Sequence, residues 1–214
     1  MSGRKDTPTA GSLGRKDTPT ARRGRPGYDL ESLLAVAVSV FNERGYDGAS
    51  MGDLSRRLGI TKSSIYHHVD SKEDLLALAL DRALDGLFAV ADEVTAAAGP
   101  AIDRLERLVR GSILVLAERL PYVTLLLRAR GNTATERRAL ARRRQFDDIV
   151  ADLVKQAERD GDIRPDVDPT VTARLLFGMV NSLIEWYRPG RVIAAGDLAD
   201  AVCAAAFDGL RIRH

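Results

Sequence analysis

The stretch "GITKSSIYHHVDSKEDLL", residues 59–76, decides how this chain reads. It sets Thr61, Lys62, Ser63, Ser64, Tyr66, His67 and His68 in one short run, with Lys72 just beyond. Hydroxyls, an amine, a phenol and two imidazoles are hydrogen-bonding groups, and a helix meant only for a core would not need so many. The run is predicted to be a short helix, from near Thr61 to near His68. Gly59 ends the helix before it, and Ser71 opens the helix after it.

Upstream, Leu30, Leu33, Leu34, Ala37, Val40 and Phe41 recur at helical spacing over about 29–44, and Gly45 stops that helix. A second helix starts at Ser50, with Asp53 in capping-box spacing and Leu54 and Leu58 as core contacts. Two short helices joined by a few residues around Gly59 and Ile60, braced by a preceding amphipathic helix, make a helix-turn-helix. In that geometry the second helix enters the DNA major groove with its N-terminal residues toward base edges. Thr61, Lys62, Ser63 and Ser64 occupy that turn, and Ile65 points inward. Tyr66, His67, His68 and Lys72 lie where groups bond phosphate oxygens and position without specifying. Adjacent His67 and His68 cannot share one helix face, which argues against a metal site. A merely solvated polar helix is the other reading.

Downstream, Ser71 and Asp74 repeat the capping-box spacing and open a long helix, about 71–97. After "AAAGPA" come further helical segments: about 101–119, a short one from Pro121, and about 133–160. The segment opened by Asp168-Pro169 ends at "YRPG", and the last runs about 196–212. The fold class expected is all-α, about nine helices: a helix-turn-helix unit at 28–75 and a helical ligand-binding and dimerisation unit at 76–214. "GRKDTPTA" occurs at both 3–10 and 14–21, polar and poor in apolar residues, so 1–27 is expected to be a disordered arm. Its end, "RRGRPG", carries Arg22, Arg23 and Arg25. It suits a narrow minor groove, a solvated basic tail being the other reading.

Hydrophobic residues make up 45% of the chain, enough for a core, while aromatics are 5% and Ala and Leu dominate. The net charge of +2 says little, but residues 1–72 hold twelve Lys/Arg against eight Asp/Glu, beside the quoted stretch. Cys203 is the single cysteine, so no internal disulfide forms. No apolar run reaches the roughly 18–20 residues of a membrane span, and the first residues lack a signal peptide's apolar segment. A cytoplasmic protein is expected. There is no paired His/Glu metal spacing, no Gly-rich phosphate loop and no nucleophile elbow. No enzyme, cofactor or metal is therefore expected. The competing class is a helical enzyme or carrier whose helix-turn-helix is incidental.

"MGDLSRRLGITKSSIYHHVDSKEDLL", residues 51–76, with "FNERGYDGAS" before it, resembles the DNA-binding signature of TetR-type transcriptional regulators over about residues 28–80. Ser63 stands where Gly is frequent, Val69 where Phe is usual and Ser55 where Ala is common. The resemblance implies a homodimer on double-stranded operator DNA, whose last two helices pair with their symmetry mates. In the last helix, Ala199, Ala201, Ala204, Ala205 and Ala206 sit among Leu198, Val202 and Leu210, and small residues let helices approach closely. Two-fold pairing sets the recognition helices about one DNA turn apart, ~34 Å, so a palindromic operator follows.

"LLFGMVNSLIEWYRPGR" (175–191), with "GDIRPDVDP" before it, is similar to the segment ending the eighth helix in TetR-type regulators of fatty-acid, steroid-ring and phenylacetate catabolism. "PYVTLLLRARGNTATERRALARRR" (121–144) resembles regulators near phenylacetate genes. The resemblance implies a repressor released by a small-molecule effector, an acyl-CoA or phenylacetyl-CoA. The ligand is expected to be large and to sit among the fifth to eighth helices. Phe177 and Asn181 share a face there, Arg174 is placed one turn before, and Tyr122 and Arg128 close the site. Trp186 is a further effector candidate, and Arg128, Arg130 or Arg188 at the rim would pair CoA phosphates. Core packing is the other reading of Trp186 and Tyr187, and a bond to a neighbouring helix that of Asn181. An activator, or an efflux regulator answering a hydrophobic drug-like ligand, is the alternative function.

Overall fold

The computed structural model describes Met1, residues 29–191 and residues 193–210. The N-terminal arm, with its repeat and Arg22, Arg23 and Arg25, lies outside the described residues. Among those described, the chain forms nine α-helices and no strand, so the all-α expectation holds. They are α1 (Leu30–Arg44), α2 (Met51–Leu58), α3 (Lys62–Tyr66), α4 (Lys72–Ala96), α5 (Ala101–Glu118), α6 (Leu120–Arg128), α7 (Ala134–Arg159), α8 (Pro169–Trp186) and α9 (Ala195–Leu210).

Each early helix begins where a side-chain oxygen can take an orphan backbone N–H. Asp29 accepts from the Ser32 amide at 2.8 Å and caps α1. Ser50 and Asp53 form a reciprocal capping box at α2. Ser71 accepts from the Asp74 amide at 3.1 Å, but Asp74 returns no such bond, so the box expected at α4 is only half formed. A second full box, Thr133 with Glu136, opens α7. The α1 stripe loses its first member and gains one inside it. Leu30 is exposed, and Val38 completes the buried face with Leu33, Leu34, Ala37, Val40 and Phe41.

α1 packs on α2 and on α4, and α3 packs on α2. Because α4 runs unbroken from Lys72 to Ala96, it belongs to both this unit and the helical bundle beyond. α5 is the centre of that bundle, packed by α4, α7, α8 and α9. Its Leu105, Leu108, Val109 and Ile113 are fully buried, each worth ~1.5–3 kcal/mol relative to exposure. α4 and α5 cross closely at Gly111, where an added Cβ would stand 2.4 Å from a Val90 methyl.

Candidate nucleic-acid interface and effector cavity

The turn between α2 and α3 is built by three residues. Gly59 takes a left-handed conformation at φ 66°, and its amide bonds the Ser55 carbonyl. The Ser55 hydroxyl donates to the Ile60 carbonyl at 2.5 Å. Ser55, which stands where Ala is common, thus closes the turn from the α2 side. Ile65 is fully buried and fixes α3 by one side chain, while Val69 is buried just after it.

The remaining face of α3 is open. Thr61, Lys62, Ser63, Tyr66, His67 and His68 are exposed, and Ser64 is half-buried. Tyr66 is 48% exposed, high for a phenol, so its ring is not held by the core. Thr61 and Ser64 are partly committed. The Thr61 hydroxyl accepts from the Ser64 amide at 3.1 Å, and the two hydroxyls stand 2.9 Å apart. Thr61 is therefore the N-cap of α3, which leaves Lys62 and Ser63 as the first freely presented side chains. Lys62 extends along Gly52 of α2, where a Cβ would stand 3.4 Å from its Cε.

Lys72 departs from its expected role. Rather than facing phosphate, its ammonium turns inward, donating to the Tyr46 and Ala49 carbonyls at 2.8 Å each. It also stands 4.1 Å from the Tyr46 ring centroid. Two carbonyls of the α1–α2 loop, of which that of Tyr46 also accepts from the Ala49 amide at 3.2 Å, and an aromatic face hold it more strongly than open solvent would.

In the bundle, the candidate effector residues separate into two groups. Arg174, Phe177 and Asn181 line one groove of about 840 Å³ between α7 and α8. Phe177 and Asn181 also border a small inner cavity of about 30 Å³, enclosed by Leu87, Leu116, Val123, Leu126, Phe146 and Val180 among others. Arg143 and Asp147 of α7 line both spaces as well. The space expected among α5 to α8 is thus nearly filled by side chains, and the open volume is the groove outside it. Phe177, Phe146 and Phe88 form an edge-to-face row across the boundary, with centroids 5.2 Å and 6.1 Å apart. Asn181 makes no side-chain hydrogen bond among the described residues, so a bond to a neighbouring helix is not what holds it.

The other three candidates lie elsewhere. Tyr122 is half-buried against the core and faces the Arg82 guanidinium, 5.7 Å from its ring. Arg128 lies toward α1, its guanidinium 3.4 Å from the Asn42 carbonyl. Trp186 is 56% exposed at the end of α8, whereas Tyr187 is buried. Core packing therefore applies to Tyr187 but not to Trp186. Helical geometry is the cause: Tyr187 turns toward the bundle, and Trp186 falls on the outer face with Val171, Leu175 and Met179.

Arg143 and Asp147, four residues apart, carry no signal in the sequence that marks them as site residues. The run Arg142-Arg143-Arg144 hides the assignment, since helical rotation sends its members to different places. Arg142 pairs with Asp81 at 2.9 Å and Asp85 at 2.8 Å and covers the Phe88 ring, so it is a strut. Arg143 and Arg144 face the groove. Partial desolvation by the groove walls raises the Asp147 carboxyl from its usual value, against the opposing pull of Arg143 and Arg174, although the residue remains solvent-exposed.

A helix-turn-helix with an exposed polar recognition helix, joined by one continuous helix to a bundle with a ligand-sized groove, defines a ligand-responsive DNA-binding regulator. Similarity to known proteins makes the class specific. Residues 33–79 match the model of bacterial regulatory proteins of the tetR family. Residues 98–210 match the tetracyclin repressor-like C-terminal domain. The chain belongs to the TetR family of transcriptional regulators. It is 55% identical to a TetR-family regulator from Streptomyces coelicolor A3 of known crystal structure, over 86% of this chain and 92% of that one, with a TM-score of 0.79. It is 28% identical to the transcriptional repressor KstR2 of Rhodococcus jostii, over 85% of this chain and 91% of that protein. AibR, solved with isovaleryl coenzyme A and operator DNA, is 30% identical over 83% of this chain and 97% of its own, with a TM-score of 0.70. The chain is accordingly a sequence-specific DNA-binding transcriptional regulator. No helix among the described residues is long and apolar enough to cross a membrane.

Proposed function

We propose that this regulator is a homodimeric repressor that leaves a palindromic operator when an acyl- or aryl-CoA thioester binds the α7–α8 groove. The observation that carries the reading is the pairing of two spaces through one boundary. An apolar inner cavity and a wide outer groove share Arg143, Asp147, Phe177 and Asn181. A thioester has the matching halves, an apolar acyl chain and a polyanionic nucleotide. Arg143, Arg144, Arg174 and Lys155 line the groove and suit phosphates, although Lys155 pairs with Asp152 at 3.2 Å. The acyl chain would enter by moving Phe177, since the inner cavity of about 30 Å³ holds no more than a water. The AibR complex with isovaleryl coenzyme A supports the ligand class.

Dimerisation follows from an unpartnered face. Val171, Leu175, Met179 and Trp186 stand exposed on one side of α8, and α9 adds exposed Ala201, Ala204 and Ala205. Ala199 and Ala206 are already buried within the chain. Pairing this face two-fold sets two α3 helices on successive major grooves. Thr61, Lys62, Ser63 and Ser64 then meet bases, and Tyr66, His67 and His68 meet the backbone, with Arg23 and Arg25 in the flanking minor groove. In this reading residues 28–75 are the DNA-binding unit and 76–214 the effector and dimerisation unit, acting in the cytoplasm.

The test is a mobility shift on the promoter beside the gene with phenylacetyl-CoA, a long-chain acyl-CoA, the matching free acids and CoA alone. Release by a thioester but not by its acid is expected. If no thioester releases DNA at micromolar concentration, or the acids act equally well, the thioester assignment fails.

A further inference from the structure

We propose a second ligand site at the junction between the helix-turn-helix unit and α6, one that takes an amphipathic anion carrying a hydrogen-bond donor. A cavity of about 710 Å³ lies there, separate from the α7–α8 groove and within the size range of small-molecule sites. One wall is the end of α1 and the α1–α2 loop, the other the end of α6 and the α6–α7 loop, and α4 forms the back. Phe41, Leu76, Leu80, Leu125 and Leu127 contribute apolar lining.

The charges at this cavity are met unevenly: its two carboxylates, Asp47 and Glu136, are held by amides, and of its three guanidinium groups only Arg44 has a carboxylate partner. Arg44 is paired with Asp53 at 2.8 Å, and Glu136 accepts from the Asn132 and Thr133 amides as the α7 cap. Asp47 meets the Asn132 amide group at 3.5 Å. Arg128 and Arg130 remain, and neither has a carboxylate partner among the described residues. Two guanidinium groups at one rim suit an anionic head. Asn42 supplies the second requirement. Its Nδ2 donates to the Pro121 carbonyl at 2.8 Å, which fixes the amide's orientation. Its Oδ1 is then a buried acceptor with no donor. A buried acceptor in that state costs free energy that a ligand hydroxyl would remove once the ligand displaces the side chains covering it. Anion, apolar body and donor are thus each specified by a different feature of the walls.

Because the two walls belong to two units, an occupant touches both. It shifts DNA binding by its differential affinity for conformers that space the walls differently. This site is independent of the thioester reading.

The experiment is isothermal titration of the full-length protein with 3-hydroxydecanoate, decanoate and 1,3-decanediol. Saturable binding of the hydroxy acid is expected. Binding should be about tenfold weaker for decanoate, which lacks the donor, and for the diol, which lacks the charge, as removal of one hydrogen bond to a fixed partner implies. The Arg128→Gln/Arg130→Gln double variant should bind the hydroxy acid about tenfold more weakly while melting unchanged without ligand, since both side chains are exposed. Arg174→Gln, in the other groove, should bind it as the wild type does. No saturable binding of the hydroxy acid, equal affinity for the three probes, or a weakening in Arg174→Gln rather than in the double variant would each overturn the proposal.

Discussion

Phe177→Ala tests the boundary between groove and core most directly. Phe177 is 8% exposed and meets Phe146 edge-on, with ring centroids 5.2 Å apart and planes at 79°. Truncating a phenyl in a sealed core costs ~3–5 kcal/mol, of which the edge contact supplies ~0.5–1.5. The Phe177 ring stands between a small cavity and an open groove, so water can enter the vacated space. The lower end of the range applies, about 3 kcal/mol. For a chain of this size each kcal/mol moves the melting temperature by ~2–4 °C, so a fall of ~6–12 °C is expected in calorimetry at fixed protein concentration. The variant should also lose discrimination among thioesters, because the inner cavity then stands open to longer acyl chains. A fall under ~2 °C, less than one kcal/mol, would show that the ring is not packed as described. A normal fall with unchanged thioester selectivity would remove Phe177 from the gate.

Three further expectations are simpler. Lys62→Ala should cut discrimination between operator variants by ~1–3 kcal/mol, whereas Tyr66→Phe should weaken all sequences alike; mobility shifts on mutated operators distinguish them, and altered preference in Tyr66→Phe would refute the assigned roles. Deleting residues 1–25 should weaken DNA binding and lower the salt slope by about one unit for each phosphate the arm neutralises; identical affinity and slope would show the arm to be only a solvated tail. Asp147 has a folded-state carboxyl pKa above its unfolded value, so its ionisation destabilises the fold increasingly as pH rises through the carboxylate range. Asp147→Asn should therefore gain stability over the wild type near neutrality and lose that advantage below the unfolded pKa, read from denaturant midpoints at the two pH values; an advantage that is constant with pH would refute the shift.

The DNA-binding half is legible in the sequence because its signals are local. Caps, a turn glycine and a period-3.6 stripe lie within a few residues of one another, and all agree. Lys72 escapes that logic. Its partners are backbone carbonyls 26 and 23 residues away, which no spacing rule reveals. The effector half is legible only in outline, for the same reason made general. Arg142, Arg143 and Arg144 are chemically alike, and only the rotation of α7 against α4 and α8 separates the strut from the groove residues. Arg128 and Trp186 mislead in the same way, each on a real helix, but Arg128 turns toward α1 and Trp186 toward the outer face.

That half-legible region is also where any release mechanism must begin, and the structure limits the contacts it can use. α7 reaches the DNA-binding unit at its first turn, where the Thr135 hydroxyl donates to the Glu73 carboxylate at 2.8 Å. Glu73 follows Lys72, whose ammonium holds the loop leading into α2. α6 reaches the same unit through the Pro121 carbonyl and Asn42. Packed helices are not continuously deformable, so a ring displaced at Phe146 and Phe177 is accommodated by moving α7 or α8 as bodies. A rigid shift of α7 arrives at Glu73, beside the lysine that fixes the loop entering α2. On the proposed function, Lys72 would bear on DNA binding through the placement of α2 and α3 rather than through a phosphate, because its ammonium is held by the Tyr46 and Ala49 carbonyls.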